Sequence, residues 1–142
     1  MTDTYISTTI EPASVQSPQP SICILGLGYV GLTLSTVMAD IGCQVTGVDR
    51  DAVLIEGLKA GKPPFHEKGL EQMLASVAAR PDPPHYQVGL SDPCADIYIV
   101  TVGTPIQRPS LEPNLDYVRS AVSEVAKVLR PGCGLNHKRV QR

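Results

Sequence analysis

Residues 24–49 read ILGLGYVGLTLSTVMADIGCQVTGVD, and the fold turns on what their glycines are for. Gly26, Gly28 and Gly31 make a GxGxxG pattern. Alone it is a weak signal, because glycines between a strand and a helix can serve packing only. Its context is more telling. Upstream, the apolar run through Ile22–Leu25 predicts a short buried strand. Downstream, Val30, Leu34, Val37, Met38 and Ile41 recur at helical spacing and predict one buried helix face, closed by Gly42. QVTGVD then predicts a second strand, and Asp49 ends it eighteen residues after Gly31. Strand, glycine turn, helix, strand and terminal acid together form a dinucleotide-binding fingerprint.

Each residue has a physical task in that reading. Gly26 permits the tight turn, Gly28 lets the backbone approach a pyrophosphate, and Gly31 lets the helix pack close to the sheet. The helix start at Tyr29 and Val30 offers unpaired N–H groups and a partial positive charge to the phosphates. Asp49 can accept hydrogen bonds from the adenosine ribose hydroxyls. A 2′-phosphate beside this carboxylate would be repelled, so the expected cofactor is NAD rather than NADP. Arg50 joins the cofactor-binding set and is also the counter-signal, since an arginine there could meet a 2′-phosphate.

Beyond this stretch, Asp51 is placed to cap a helix through Leu58 that Gly61 closes. A helix carrying Leu70, Met73, Leu74 and Val77 follows and stops at the proline cluster RPDPPH. YQVGL predicts a third strand and DIYIVTV, residues 96–102, a fourth. The loop GTPIQRPSLEP is too rich in proline for regular structure. Asn114 then caps a helix on which Leu115, Val118, Val122, Val125 and Leu129 form the apolar stripe. Strands alternating with helices imply a parallel sheet. The fold class is therefore α/β, a Rossmann-type doubly wound sheet of about four strands in the order 3-2-1-4. A fifth strand and a second domain are expected to be absent.

The 142 residues suffice for one cored domain but not two. Residues 1–20 read as a flexible polar leader without Lys or Arg, 21–132 as the cofactor domain, and 133–142 as a basic tail. A net charge of −2 gives no footprint for nucleic acid, and no apolar run is long enough for a membrane span. Cys23, Cys43, Cys94 and Cys133 show no paired spacing for zinc or redox work, and the first two read as core residues of a reduced, cytoplasmic protein. His66 and His85 read as solvated loop residues.

Four ordered pieces resemble the UDP-glucose/GDP-mannose dehydrogenase family, the nucleotide-sugar 6-dehydrogenases. They are GLGYVGL at Gly26–Leu32, GVDRD at Gly47–Asp51, HEKGLEQML at His66–Leu74 and VGTP at Val102–Pro105, with PNLDYV at its family spacing beyond. Lys68 stands where the family usually has proline. The resemblance implies oxidation of a nucleotide sugar's C6 alcohol to the uronate with two NAD+. It implies that Gly26, Gly28, Tyr29, Val30 and Gly31 bind the pyrophosphate, Asp49 the ribose, and that Thr104 borders the nicotinamide half unless it is only a turn residue beside Pro105. Glu67 has two readings, a residue shaping the active-site side or a helix N-terminal carboxylate. The short connection SDPC points to the UDP-N-acetylmannosamine branch.

The family's catalytic cysteine lies in a later half that this sequence does not contain, so no residue here is expected to be catalytic. From Cys133 onward the family pattern lapses, which reads as a truncated or frame-shifted end. Without a fifth strand, Ile97–Val102 would form an open apolar edge inviting self-association. A nucleotide sugar would be a partner only with the missing half supplied. Two other readings are a non-catalytic NAD-binding or dimer-partner module and the N-terminal domain of a 6-phosphogluconate or 3-hydroxyacyl-CoA type dehydrogenase. The HEKGLEQML and VGTP segments argue against the latter.

Overall fold

The structure is a computed structural model that describes residues 19–91 and 95–129 and the backbone of residues 140–141. Its elements are β1 (Ser21–Leu25), α1 (Tyr29–Asp40), β2 (Gln44–Asp49), α2 (Ala52–Lys59), α3 (Leu70–Ala78), β3 (His85–Val88), β4 (Ile97–Val100), α4 (Asp116–Val128) and β5 (Val140–Gln141). The leader to residue 18, the SDPC connection beyond Ser91, and the tail cysteine Cys133 lie outside the described residues.

Every pairing in the sheet is parallel, and β3-β2-β1-β4 stand in the order expected from the alternation of strands and helices. β1 is apolar at successive positions because helices cover both faces of the sheet. Ile22 and Ile24 face a core with Leu32 of α1, Ile55 of α2 and Leu74 and Val77 of α3. Cys23 and Leu25 face the opposite core, which holds Tyr98, Val100 and, from α4, Ala121 and Val125. Burying a side chain such as Ile24 contributes about 1.5–3 kcal/mol.

A fifth strand was not expected, yet β5 pairs with β4 at Tyr98↔Val140 and Ile99↔Gln141. Strand pairing needs only backbone N–H and C=O groups, so two residues without an apolar run can meet an open edge. β4 itself ends at Val100, and residues 101–102 of the expected strand belong to the following loop. That loop is not regular, but it closes on itself through an antiparallel bridge between Ile106 and Pro113.

Two helix faces differ from the expected ones. On α1 the buried residues are Gly31, Leu32, Ser35, Thr36 and Ala39. Leu34 and Met38 pack at its flank, whereas Val30, Val37 and Ile41 are exposed. The sheet takes the small side of the helix because Gly31 brings α1 close to the turn. Ser35 and Thr36 can be buried there since both hydroxyls donate to Leu32 O at 2.8 Å. On α4, Ala121 and Val125 are buried and Val118 and Val128 half-buried, while Leu115, Val122 and Leu129 point outward. An apolar stripe wider than the helix's contact with the sheet leaves one flank uncovered.

The remaining helices match their sequence signals. Asp51 Oδ1 accepts from Val53 N at 2.9 Å and Leu54 N at 3.1 Å, capping α2. Leu70, Leu74 and Val77 bury α3 with Met73 at the surface. His66 is an exposed loop residue, whereas His85 opens β3 with its side chain exposed.

Candidate functional site

The glycine turn lies at the C-terminal edge of the parallel sheet, where β1 passes into α1. Gly26 N donates to Val48 O at 2.8 Å, tying the turn to β2. Gly26 has φ +94°, and a Cβ there would come within 2.9 Å of Val102 N. Both facts require glycine. At Gly31 a Cβ would stand 1.8 Å from Gly26 O and 2.5 Å from Thr101 Oγ1, so this glycine permits α1 to close on the turn. Gly28 differs from both. Its φ of −69° and ψ of −162° suit any residue, and a Cβ would meet nothing within 4 Å. The protein's own packing has no need of glycine at that position. The open space beside its backbone fits a group that must approach closely, as a pyrophosphate does.

α1 starts directly from Gly28. Its first turn has no side-chain cap and no acidic residue, so the N–H groups of Tyr29, Val30 and Gly31 and the positive end of the helix dipole are open to an anion. Tyr29 and Val30 are both exposed.

Asp49, at the end of β2, is held in place by the neighbouring backbone. Its Oδ2 accepts from Leu27 N at 2.7 Å and its Oδ1 from Asp51 N at 2.9 Å. A carboxylate offers about four lone-pair sites, so about two remain to accept from hydroxyl donors. Beside it the Arg50 guanidinium lies 4.8 Å above the centre of the Tyr117 ring. Gly26, Asp49, Arg50, Val102, Tyr117 and Glu124 line an open cleft between the ends of β1 and β2 and α4.

On the other side of α1, the Tyr29 hydroxyl donates to Glu67 Oε2 at 2.7 Å, and its ring meets that of Phe65 at 5.2 Å between centroids. The bond and the charge of Glu67 hold the Tyr29 phenol above its ordinary pKa. The residue before α3 is Gly69, with no side-chain cap bond, and the Glu67 carboxylate turns instead to the start of α1.

Thr104 lies exposed in the loop after β4, on the same edge of the sheet. Two residues of the site were not singled out from the sequence. Thr101 donates through Oγ1 to Gly26 O at 2.7 Å, and its one signal was a hydroxyl at the end of an apolar strand. Tyr117 reaches Arg50 across a sequence separation that no local pattern reports. Cys23 and Cys43 are buried, and burial pushes the Cys23 thiol up to about 12, far from a reactive thiolate at neutral pH. No helix among the described residues is long and apolar enough to cross a membrane.

Residues 20–136 match the UDP-glucose/GDP-mannose dehydrogenase family, NAD binding domain. The UDP-N-acetyl-D-mannosamine dehydrogenase of Campylobacter jejuni is 32% identical over 111 residues, 78% of this chain and 26% of its own. The UDP-glucose 6-dehydrogenase of Rhizobium meliloti is 34% identical over 115 residues, 77% of this chain and 25% of its own. Among solved structures, the NDP-N-acetyl-D-galactosaminuronic acid dehydrogenase of Methanosarcina mazei superposes with a TM-score of 0.73 at 27% identity, over 87% of this chain and 27% of its own. The chain thus spans about a quarter of the length of the curated relatives it matches. With its parallel sheet in the order 3-2-1-4 and its glycine turn beside Asp49, the chain belongs to the UDP-glucose/GDP-mannose dehydrogenase family and carries that family's NAD-binding domain.

Proposed function

We propose that this chain is the NAD-holding portion of a nucleotide-sugar 6-dehydrogenase that oxidises a UDP-sugar C6 alcohol to the uronate. Bound NAD+ would supply the hydride acceptor, used twice over the reaction. The backbone at Gly26, Gly28, Tyr29, Val30 and Gly31 receives the pyrophosphate. Asp49 accepts from the adenosine ribose, Arg50 borders the adenosine side, and Thr104 borders the nicotinamide half. No residue here is assigned to sugar chemistry. The matched stretch covers about a quarter of each relative, and catalytic groups and most sugar contacts are assigned to the remaining three quarters of their sequence. The chain alone is therefore catalytically incomplete, because half a site cannot favour the hydride-transfer transition state. Its proposed location is cytoplasmic, where NAD and nucleotide sugars are available. The edge at Ile97–Val102, paired among the described residues at Tyr98 and Ile99, is the proposed route of self-association.

The observation that carries the cofactor reading is Gly28, a glycine that neither backbone strain nor crowding explains. Because a Cβ fits there without clash, a substitution at Gly28 separates folding from binding, and Gly28→Val adds the bulk that blocks close approach. In thermal melts, NAD at about a hundred times its dissociation constant should stabilise the parent by about 2.7 kcal/mol. The Gly28→Val chain should melt like the unliganded parent and gain no shift. A parent without a shift, or a variant with the full shift, would defeat the reading.

A further inference from the structure

We infer that Tyr117 acts as a positioning residue for cofactor choice, holding the Arg50 guanidinium on its ring so that the site favours NADH over NADPH. The inference rests on the NAD reading and extends it to a residue outside the glycine fingerprint. Arg50 is the one cation among the residues lining the cleft, where Asp49 and Glu124 are the acids. Such a lining repels a 2′-phosphate unless Arg50 turns to meet it. In the structure Arg50 is engaged elsewhere. Among the described residues it forms no ion pair, and its guanidinium sits 4.8 Å above the centre of the Tyr117 ring.

Tyr117 is well placed to keep it there. It occupies the first turn of α4, where Asn114 Oδ1 accepts from Asp116 N at 2.9 Å and fixes the start of the helix. The same helix is anchored on the sheet through Ala121 and Val125. The ring is therefore a fixed platform and the arginine the movable partner. A planar, delocalised guanidinium over an aromatic face is held electrostatically and by stacking. A 2′-phosphate contact that draws Arg50 off the ring must first break that hold.

The test is a set of fluorescence titrations of the 142-residue chain with NADH and with NADPH. Tyr117→Leu keeps apolar bulk and removes the ring face, and Tyr117→Ala removes both. Each should shift the affinity ratio toward NADPH by about two- to fivefold, the factor that one exposed cation–π contact represents. Tyr117→Phe, which keeps the ring, should retain the parental ratio. Adding Arg50→Ala to Tyr117→Leu should abolish the gain, and raising salt should shrink it. An unchanged ratio in Tyr117→Leu with NADH binding intact would overturn the inference alone. So would a Phe variant that behaves like Leu, which would mean that the hydroxyl matters and the ring does not. Failure of the folded parent to bind NADH would overturn the NAD reading and this inference together.

Discussion

The Thr101 hydroxyl donates to the carbonyl oxygen of Gly26 over 2.7 Å, while its own N–H donates to Leu25 O at 2.8 Å. One residue at the end of β4 thus holds both the last residue of β1 and the first glycine of the turn. It is also the side chain that a Cβ at Gly31 would strike, so Thr101, Gly26 and Gly31 form one packed unit.

Thr101→Val keeps the shape and removes the hydroxyl, leaving Gly26 O without that donor. The expected loss is about 1–3 kcal/mol of stability, together with weaker NADH binding as the turn loosens. Thr101→Ser should retain most of both. Urea melts and NADH titrations of the two variants check this, and a loss in Ser with none in Val would mean that the methyl group carries the effect.

Gly31→Ala should be far more damaging than any substitution at Gly28. Its Cβ would stand 1.8 Å from a backbone oxygen that β2 and Thr101 hold fast. Overpacking costs about 1–3 kcal/mol where neighbours can give way, and backbone here cannot, so the expected loss is about 3 kcal/mol or more. Circular dichroism melts would show Gly31→Ala largely unfolded under conditions where Gly28→Ala melts as the parent does.

Asp96 gives the chain a pH dependence. Its Oδ2 accepts from Ser21 N and Ser21 Oγ, both at 2.9 Å, joining the start of β4 to the start of β1. The backbone bond, then the hydroxyl bond, hold this carboxyl below its ordinary pKa. A carboxyl depressed in the folded state adds stability above its unfolded value, about 3.9, and loses it as pH falls through the lower folded value. Asp96→Asn should therefore be less stable than the parent at pH 6, with the gap closing below about pH 4. Urea midpoints across that range would show it, and a gap constant with pH would disprove it.

Tyr86 presents the opposite case. Its ring fills the space over Gly47, where a Cβ would come within 2.7 Å of it. Burial raises the phenol's pKa, with Ser35 and Thr36 beside it pulling the other way. Its oxygen has no hydrogen bond of normal geometry among the described residues, and the Ser35 and Thr36 hydroxyls already donate to Leu32 O. Tyr86→Phe should leave stability unchanged or raise it by up to about 1 kcal/mol. A loss of more than about 1 kcal/mol in thermal melts would mean that the hydroxyl has a partner in solution.

Much of this protein was readable in one dimension because its signals are local. Gly26, Gly31, Asp49 and the capping Asp51 act within a few residues or across one strand–helix–strand unit, and their spacing carries their geometry. Strand order followed from the alternation of element types, since parallel strands require crossovers. The faces of α1 and α4 were not readable in this way. Apolar spacing marks every hydrophobic stripe, and which stripe is buried depends on the neighbour that arrives. Gly31 brings the small side of α1 to the sheet, so Val30, Val37 and Ile41 remain outside. β5 escaped notice for a related reason, because backbone pairing leaves little trace in side-chain pattern.

The site divides along the same line. The linear chain specified a glycine turn and the acid that ends β2 beside it, because backbone conformation and strand length place both. Folding supplied the contacts between distant residues. Thr101 bolts the turn from β4, Glu67 bonds Tyr29 from the loop before α3, and Tyr117 holds Arg50 from α4. Such pairs come together only when separate elements dock on one sheet. No short-range periodicity encodes that docking, because its free energy comes from burying surfaces far apart in sequence.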